Sequence, residues 1–458
     1  MKKKRTQGKR SAFDRYIFGI LLAVELIMSF TFLGYIHIPP ISITIAYIPI
    51  IAAGCLFGIT ESVITGLIFG LGSMYKASAF YVMPADKVFS PFQSELPVQS
   101  FLLSVGTRVL FGLIIGILFE LSKHRKYQRV WRGVISLISP VLQAFLVFGA
   151  MGLFFPELGY NYRSAFSVKW SDLLIVVICF VCIELLYTLY HSRRCRTFRK
   201  AINYSNPYAS ARMSWGLYAV DLFTICIAIF CTIYFSQRAE YMLQQHDIKV
   251  THFVSSDLLH LQIQFLIAML ALNFILLVLL ALMYKYMSYK EYIKEMDPLT
   301  NVMGRRLFLY YCTKIQSEGT KSVRKDGWFL FFDVDYFKQI NDTCGHSVGD
   351  DVLKQIGIRL KQAFEPCGAV GRVGGDEFAA IIEKKTTRQE LEIKLENFLL
   401  DISQILPDRT VSCSIGAYHF AFPKETEYLL AETDRVLYQA KENGRACFVI
   451  QDNAESFS

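Results

Sequence analysis

The chain is 458 residues long, 53% apolar and 14% aromatic but only 19% charged, with a formal net charge of +9. That length calls for about three domains, and so apolar a composition excludes an ordinary soluble enzyme. The basic residues gather at the ends of apolar runs, so the charge does not call for a nucleic-acid polymer as partner.

The apolar residues concentrate before residue 287, mostly in runs near the roughly 20 residues that a helix needs to cross a hydrocarbon core of about 30 Å. Eight spans are predicted, at residues 17–36, 45–58, 61–75, 101–121, 134–154, 172–190, 215–235 and 264–286, the short second and third pairing as a helical hairpin. The basic start 2-KKKRTQGKR-10 leads directly into a long run with more behind it, unlike a cleavable signal peptide. Orientation follows from lysine and arginine. One side holds Lys2, Lys3, Lys4, Arg5, Lys9, Arg10 and Arg15, then Lys123, Arg125, Lys126, Arg129 and Arg132, then Arg193, Arg194, Arg196, Arg199, Lys200 and Arg212. The other holds only Lys76, Lys87, Arg163, Lys169, Arg238 and Lys249. This predicts a multi-pass membrane protein with the N-terminus and, for an even span count, the C-terminal domain in the cytoplasm.

None of the eleven cysteines falls in an external segment, so no disulfide is expected. Cys179 and Cys182 form a C-x-x-C within an apolar run, where two small residues on one face of a membrane helix outweigh a redox or metal reading. Small residues recur one helical turn apart at Gly19 and Ala23, Gly54 and Gly58, Gly66 and Gly70, and Gly112 and Gly116, a spacing for close helix packing. The run from 44 to 73, with Pro49 and its glycine ladder, resembles the second and third helices of the substrate-capture component of energy-coupling-factor vitamin transporters. The resemblance implies a six-helix sensor over residues 1–200 with a ligand pocket near the outer face, where Tyr75, Tyr160, Tyr162 and Trp170 are candidates to line it. Glu25, Glu120 and Glu184 lie in or at the ends of apolar runs; intramembrane acids point to function, and Glu120 is expected to snorkel.

Residues 201–287 read as a two-helix membrane hairpin around an external segment too short to be a sensory domain, with His246, His252 and His260 expected in solvent. A stalk helix follows at 288–296. Leu282, Tyr286, Tyr289, Ile293 and Met296 fall at coiled-coil spacing, which fits either a homodimer seam or packing on the chain's own domain. Asp297 with Pro298 after it reads as the cap of the next helix.

From 297 to 458 the chain reads as a cytoplasmic α/β domain. The run 328-WFLFFDVD-335 is a strand ending in acids, and Gly374-Gly375 between apolar runs predicts a two-residue hairpin with positive φ. Asp333, Asp376 and Glu377 are then three carboxylates near one place, repelling by roughly 4 kcal/mol per pair at about 4 Å and an effective dielectric near 20, which calls for a cation or proton among them. We read a Mg²⁺ site.

The stretch 371-GRVGGDEF-378 with 332-FDVDYFKQINDTCGHSVGDDVL-353 resembles the GGDEF family of diguanylate cyclases, palm-like α+β nucleotidyl cyclases. The likeness extends to 297-DPLT-300, Arg305-Arg306, 414-SIG-416 and 438-YQAKENGR-445. It implies condensation of two GTP into cyclic di-GMP and two pyrophosphates by a homodimer of facing domains, under control of the membrane module and an unknown small-molecule or protein stimulus. By resemblance, Asp333, the Val334 carbonyl, Asp376 and Glu377 hold Mg²⁺, as many as two per site, with Mn²⁺ able to substitute. Asp376 is also the candidate base and Lys338 the group stabilising the transition state. Asn341, His346 and Asp350 recognise guanine, Lys441 and Arg445 neutralise phosphates, and the N–H groups of Tyr336 and Phe337 cradle one. The alternatives are an inactive, nucleotide-binding GGDEF protein, or a ligand-capture membrane protein with the cyclase as attached regulator. Gly304 and Ala446-Cys447 depart from the family pattern, as do Glu365 and Gly368 where many members carry the Arg-x-x-Asp product-inhibition pair. Product-free protein should therefore bind cyclic di-GMP only weakly at that position; a submicromolar calorimetric Kd there would contradict this.

Overall fold

The computed structural model describes residues 11–38, 41–166, 170–203, 211–246, 250–319 and 326–452. Lys2, Lys3, Lys4, Arg5, Lys9, Arg10, Lys169 and Lys249 of the charge pattern, and the side chains of Trp170 and Arg212, lie outside the described residues. The fold divides into two compact units, the first ending at Met287 and the second beginning at Ser288.

The first unit is helical: α1 (Ala12–Phe30), α2 (Ile48–Leu56), α3 (Ile59–Lys76), α4 (Pro97–Phe101), α5 (Thr107–Ser122), α6 (Gln128–Phe154), α7 (Trp170–His191), α8 (Arg193–Asn203), α9 (Ala211–Gln245) and α10 (His252–Lys294). Among the described residues, five helices are long and apolar enough to cross a membrane, namely Pro97–Ser122, which includes a π-helical turn, Gln128–Phe154, Leu173–His191, Ala219–Gln245 and His252–Lys294. The first three expected spans do not reach that standard. Helix α1 carries Asp14, Arg15 and Glu25 and stops at Phe30, before a small antiparallel pair β1 (Tyr35–Ile38) and β2 (Ile41–Thr44). Helix α2 has nine residues, and α3 carries Glu61 and Lys76.

The glycine spacings do pack helices, through α3 against α5. A Cβ at Gly66 would collide with the Arg108 carbonyl, and one at Gly116 would meet Ile59 at 2.6 Å, so each helix supplies the gap the other fills. Two of the three acids form ion pairs, and the third takes a hydroxyl. Glu184 takes both ends of the Arg132 guanidinium at 2.8 and 2.7 Å, Glu120 pairs with Lys123 at 2.8 Å, and buried Glu25 accepts from the Ser29 hydroxyl at 2.9 Å. Of the proposed pocket residues, Tyr75 lies edge-on to His260 at 4.0 Å, Tyr160 stacks on Phe148 at 5.6 Å, and Tyr162 is exposed. His260 is therefore not a solvated residue, as expected from the sequence, but part of an aromatic contact.

Part of the stalk stripe takes the second of the two readings its spacing allows. Leu282 and Tyr286 pack on the chain's own cluster of Phe13, Ile202 and Val278, and Met296 lies beyond the helix end, bridged to Met303. Asp297 caps no helix. Its carboxylate closes the turn before Thr300, and the next helix, α11 (Arg305–Gly319), begins only after strand β3 (Met303–Gly304).

The second unit is a mixed sheet in the order β3-β5-β6-β4-β7-β8, made of β3, β4 (Asp326–Val334), β5 (Gly368–Arg372), β6 (Glu377–Ile382), β7 (Cys413–Ala421) and β8 (Phe448–Gln451). Central β4 runs antiparallel to both neighbours. Successive side chains on a strand alternate faces. Trp328, Leu330 and Phe332 thus meet α13 (His346–Phe364) and α14 (Arg388–Ser403), while Phe329 and Phe331 meet α11 and α15 (Thr426–Glu442). Gly416 lets α15 lie directly on β7, since a Cβ there would come within 2.7 Å of the Thr433 carbonyl. Phe332 is fully buried, with Phe364 and Phe398 rings at 5.5 and 5.4 Å. Phe332→Ala should destabilise this unit by about 3–5 kcal/mol, read as a lower midpoint in denaturant at an unchanged slope.

Candidate active site

The alternation that buries Phe329 and Phe331 under α15 carries Asp333 to the same face, at the end of β4. Glu377, the first residue of β6, is its register partner across the pair. Lys441, in the last turn of α15, reaches down to Asp333 at 2.7 Å. Burial raises the pKa of Asp333, against the pull of Lys441 and with further help from the charges of Asp376 and Asp335. Burial likewise raises Glu377, followed by the charges of Asp333 and Asp376.

The loop between β5 and β6 differs from the expected two-residue hairpin. The Val373 and Gly374 N–H groups both donate to the Glu377 carbonyl, at 3.0 and 3.3 Å, closing a three-residue loop of Gly374, Gly375 and Asp376 in which neither glycine has positive φ. What Gly374 supplies is room: any Cβ there would collide with the Glu377 carboxylate. The Asp376 carbonyl accepts from the Val334 N–H at 3.3 Å, which ties the loop to the end of β4.

Beyond β4 the chain turns into α12 (Phe337–Cys344) through Tyr336, whose φ of 54° is left-handed. Its first N–H groups have no partner within the helix. Lys338 stands exposed in this first turn, while the Phe337 ring packs into the core. Gly345 (φ 84°) joins α12 to α13, bringing Asn341 against Gly349, where a side chain would strike the Asn341 amide. Asp350 follows on the same helix turn and His346 starts it, both exposed. Arg445 follows α15 on a left-handed loop and lies over the Tyr336 ring.

Two residues outside the expected set hold this site in shape. Asp335 is buried and accepts from Ser414 Oγ at 2.7 Å, Ser412 Oγ at 2.8 Å and the Ala446 N–H at 3.0 Å. Arg372 donates to the Gly375 carbonyl at 2.6 Å and pairs with Asp297 at 3.1 Å. Burial works to raise the Asp297 carboxyl, but the Thr300 hydrogen bonds and Arg372 outweigh it and hold it below the usual range. The second of the two acids closing the expected strand and a basic residue before the glycines were the sequence signals for these two.

Residues 294–447 match the family described as "Diguanylate cyclase, GGDEF domain". This part of the chain is a GGDEF domain. Over 166 residues it is 31% identical to Diguanylate cyclase DgcS of Shewanella oneidensis, a match covering 35% of this chain and 55% of the relative. It is 39% identical over 154 residues to Probable diguanylate cyclase DgcI of Escherichia coli, covering 33% and 32%. A third relative, the uncharacterized protein YhcK of Bacillus subtilis, is 33% identical over 162 residues, covering 33% of this chain and 45% of the relative. The chain thus spans about half the length, or less, of these curated relatives. Among solved structures, the GGDEF domain of YfiN from Pseudomonas aeruginosa matches 34% of this chain and 93% of its own, at 28% identity and a TM-score of 0.31.

Among the described residues, no three acid, histidine or cysteine side chains of the GGDEF domain converge on one metal position. Of the expected Mg²⁺ ligands, Asp333 and Glu377 are register partners on one face and Asp376 acts on both through its charge, but Lys441 already occupies one Asp333 oxygen. Hard oxygen donors with pKa values raised partly by one another still suit a divalent cation. Carboxyls raised in the folded protein contribute stability in full below their unfolded values and lose it as pH rises through the folded ones. A divalent cation held here would bind the ionised carboxyls, so any rise in Tm on adding Mg²⁺ should be larger at pH 7 than at pH 5, and Asp333→Asn should abolish most of this difference in thermal melts.

Proposed function

We propose that the protein is a membrane-bound diguanylate cyclase that condenses two GTP into cyclic di-GMP and two pyrophosphates. The observation that carries this reading is the meeting of Asp333, Glu377 and Lys441 at the ends of β4, β6 and α15 within a GGDEF domain. The relatives named as diguanylate cyclases support it. Each 3′-hydroxyl must attack the other nucleotide's α-phosphate, so a domain that holds one GTP needs a second copy facing it, and the working form is a homodimer. Phosphoryl transfer asks the protein mainly for positioning and charge.

In this reading Asp333 and Glu377, with Asp376 and the Val334 carbonyl, hold Mg²⁺ or Mn²⁺, which when bound neutralises triphosphate charge; the site has room in its chemistry for two ions. Asp376, on the loop tied to β4, takes the proton from the 3′-hydroxyl. Lys338 faces the charge that develops at phosphorus, Lys441 and Arg445 bind phosphate oxygens, and the N–H groups of Tyr336 and Phe337 cradle a phosphate at the start of α12. Asn341 and Asp350 hydrogen-bond the guanine edge, with His346 beside them. The helical unit is the sensor for a small-molecule or protein stimulus, embedded in a bacterial cytoplasmic membrane with the cyclase inside the cell.

The full chain in nanodiscs with Mg²⁺ and GTP should form cyclic di-GMP at a rate rising more steeply than linearly with protein density, and Asp376→Ala should lower it by about 100-fold or more. GTP binding without product at any density would favour instead a nucleotide-binding protein that signals by contact.

A further inference from the structure

Tyr336 and Arg445 are 109 residues apart in sequence and lie together. The Arg445 guanidinium carbon is 4.9 Å from the centre of the Tyr336 ring, and one of its nitrogens is 3.5 Å from the phenol oxygen. Both residues, and Ala446 beside them, hold left-handed φ values of 54°, 65° and 50°. Non-glycine residues stay in that region only where their surroundings impose it. Here the constraint is Asp335, 4% exposed, whose carboxylate grips the Ala446 N–H at 3.0 Å while two serine hydroxyls fix the carboxylate itself. Adjacent residues 335 and 336 therefore hold adjacent residues 446 and 445, the first through the backbone and the second through the ring.

We propose that the Tyr336 ring is a positioning residue for nucleotide phosphates, setting the Arg445 guanidinium beside the first turn of α12 on a loop that Asp335 pins. This rests on the reading of the site as one for GTP, and assigns to the Tyr336 side chain a role separate from that of its N–H. A guanidinium resting on an aromatic face keeps its in-plane donors for an anion, and a planar fork held in advance loses less freedom when it binds phosphate. Lys441, another cation of the proposed phosphate site, is engaged with Asp333, whereas Arg445 is held on the Tyr336 ring.

The test is a double-mutant cycle in the full chain in nanodiscs, reading the Kd for a non-hydrolysable GTP analogue with Mg²⁺, the Kd for guanosine, and KM and kcat for GTP. Tyr336→Ala should weaken the analogue about two- to fivefold, the size of an exposed cation–π contact, leave guanosine unchanged, and raise KM more than it lowers kcat. In an Arg445→Ala background the same change should add almost nothing, and Tyr336→Phe, which keeps the ring, should recover most of the affinity. An equal loss with and without Arg445, or an equal loss for guanosine, would overturn the inference while parent binding of the analogue left the GTP reading standing. A parent chain that binds no analogue would remove both.

Discussion

Strand β4 is hydrogen-bonded along both edges, and its register decides which side chains meet at its acidic end. It pairs over Trp328 to Asp333 with β6 and over Asp326 to Val334 with β7. Its aromatic residues fill cores on both faces, so sliding by one residue would move each ring to the wrong side and turn Asp333 away from Glu377 and Lys441. The chemistry thus depends on apolar packing: Phe329 and Phe331 under α15 are what point Asp333 at α15.

The acids near this strand end fall into two kinds, separated by how well they are satisfied. Asp335 and Asp297 have their oxygens filled by hydroxyls, N–H groups or a guanidinium, and they hold loops. Asp333 has one lysine against a buried environment, and Glu377 is raised by burial and by its acidic neighbours. A satisfied buried carboxylate is a fastener, whereas a crowded one is a place where a cation lowers the energy. Sequence reading put Asp333, Asp376 and Glu377 together as one ligand set, and the folded chain separates their surroundings while keeping them within electrostatic reach.

In the helical unit, charge also finds partners that spacing along the chain does not show. Glu184 meets Arg132 from 52 residues away, with the guanidinium 3.6 Å from the centre of the Tyr187 ring. A paired and stacked ion pair of this kind belongs to the packing of α6 on α7. The glycines at one-turn spacing, by contrast, were legible in the sequence, because a helix that lacks side chains along one stripe has few uses for that stripe other than close approach.

The sequence by itself determined the local facts: where the apolar helices lie, that residues from 297 on form an α/β domain, which strand ends in acids, and which segments carry the glycines, acids and cations of the site. Each follows from a composition or period readable within one segment. Tertiary structure alone decided what those segments do to one another. The Gly374-Gly375 loop takes three residues because β5 and β6 pair in an odd register, its glycine making room for Glu377 in place of supplying positive φ. Leu282 and Tyr286 lie at coiled-coil spacing yet join a core with Phe13 and Ile202, since any apolar stripe buries itself against the nearest apolar surface. Asp335 and Arg372 remained unread because hydrogen bonds to Ala446 and Gly375 depend on backbone positions that exist only once the chain has folded.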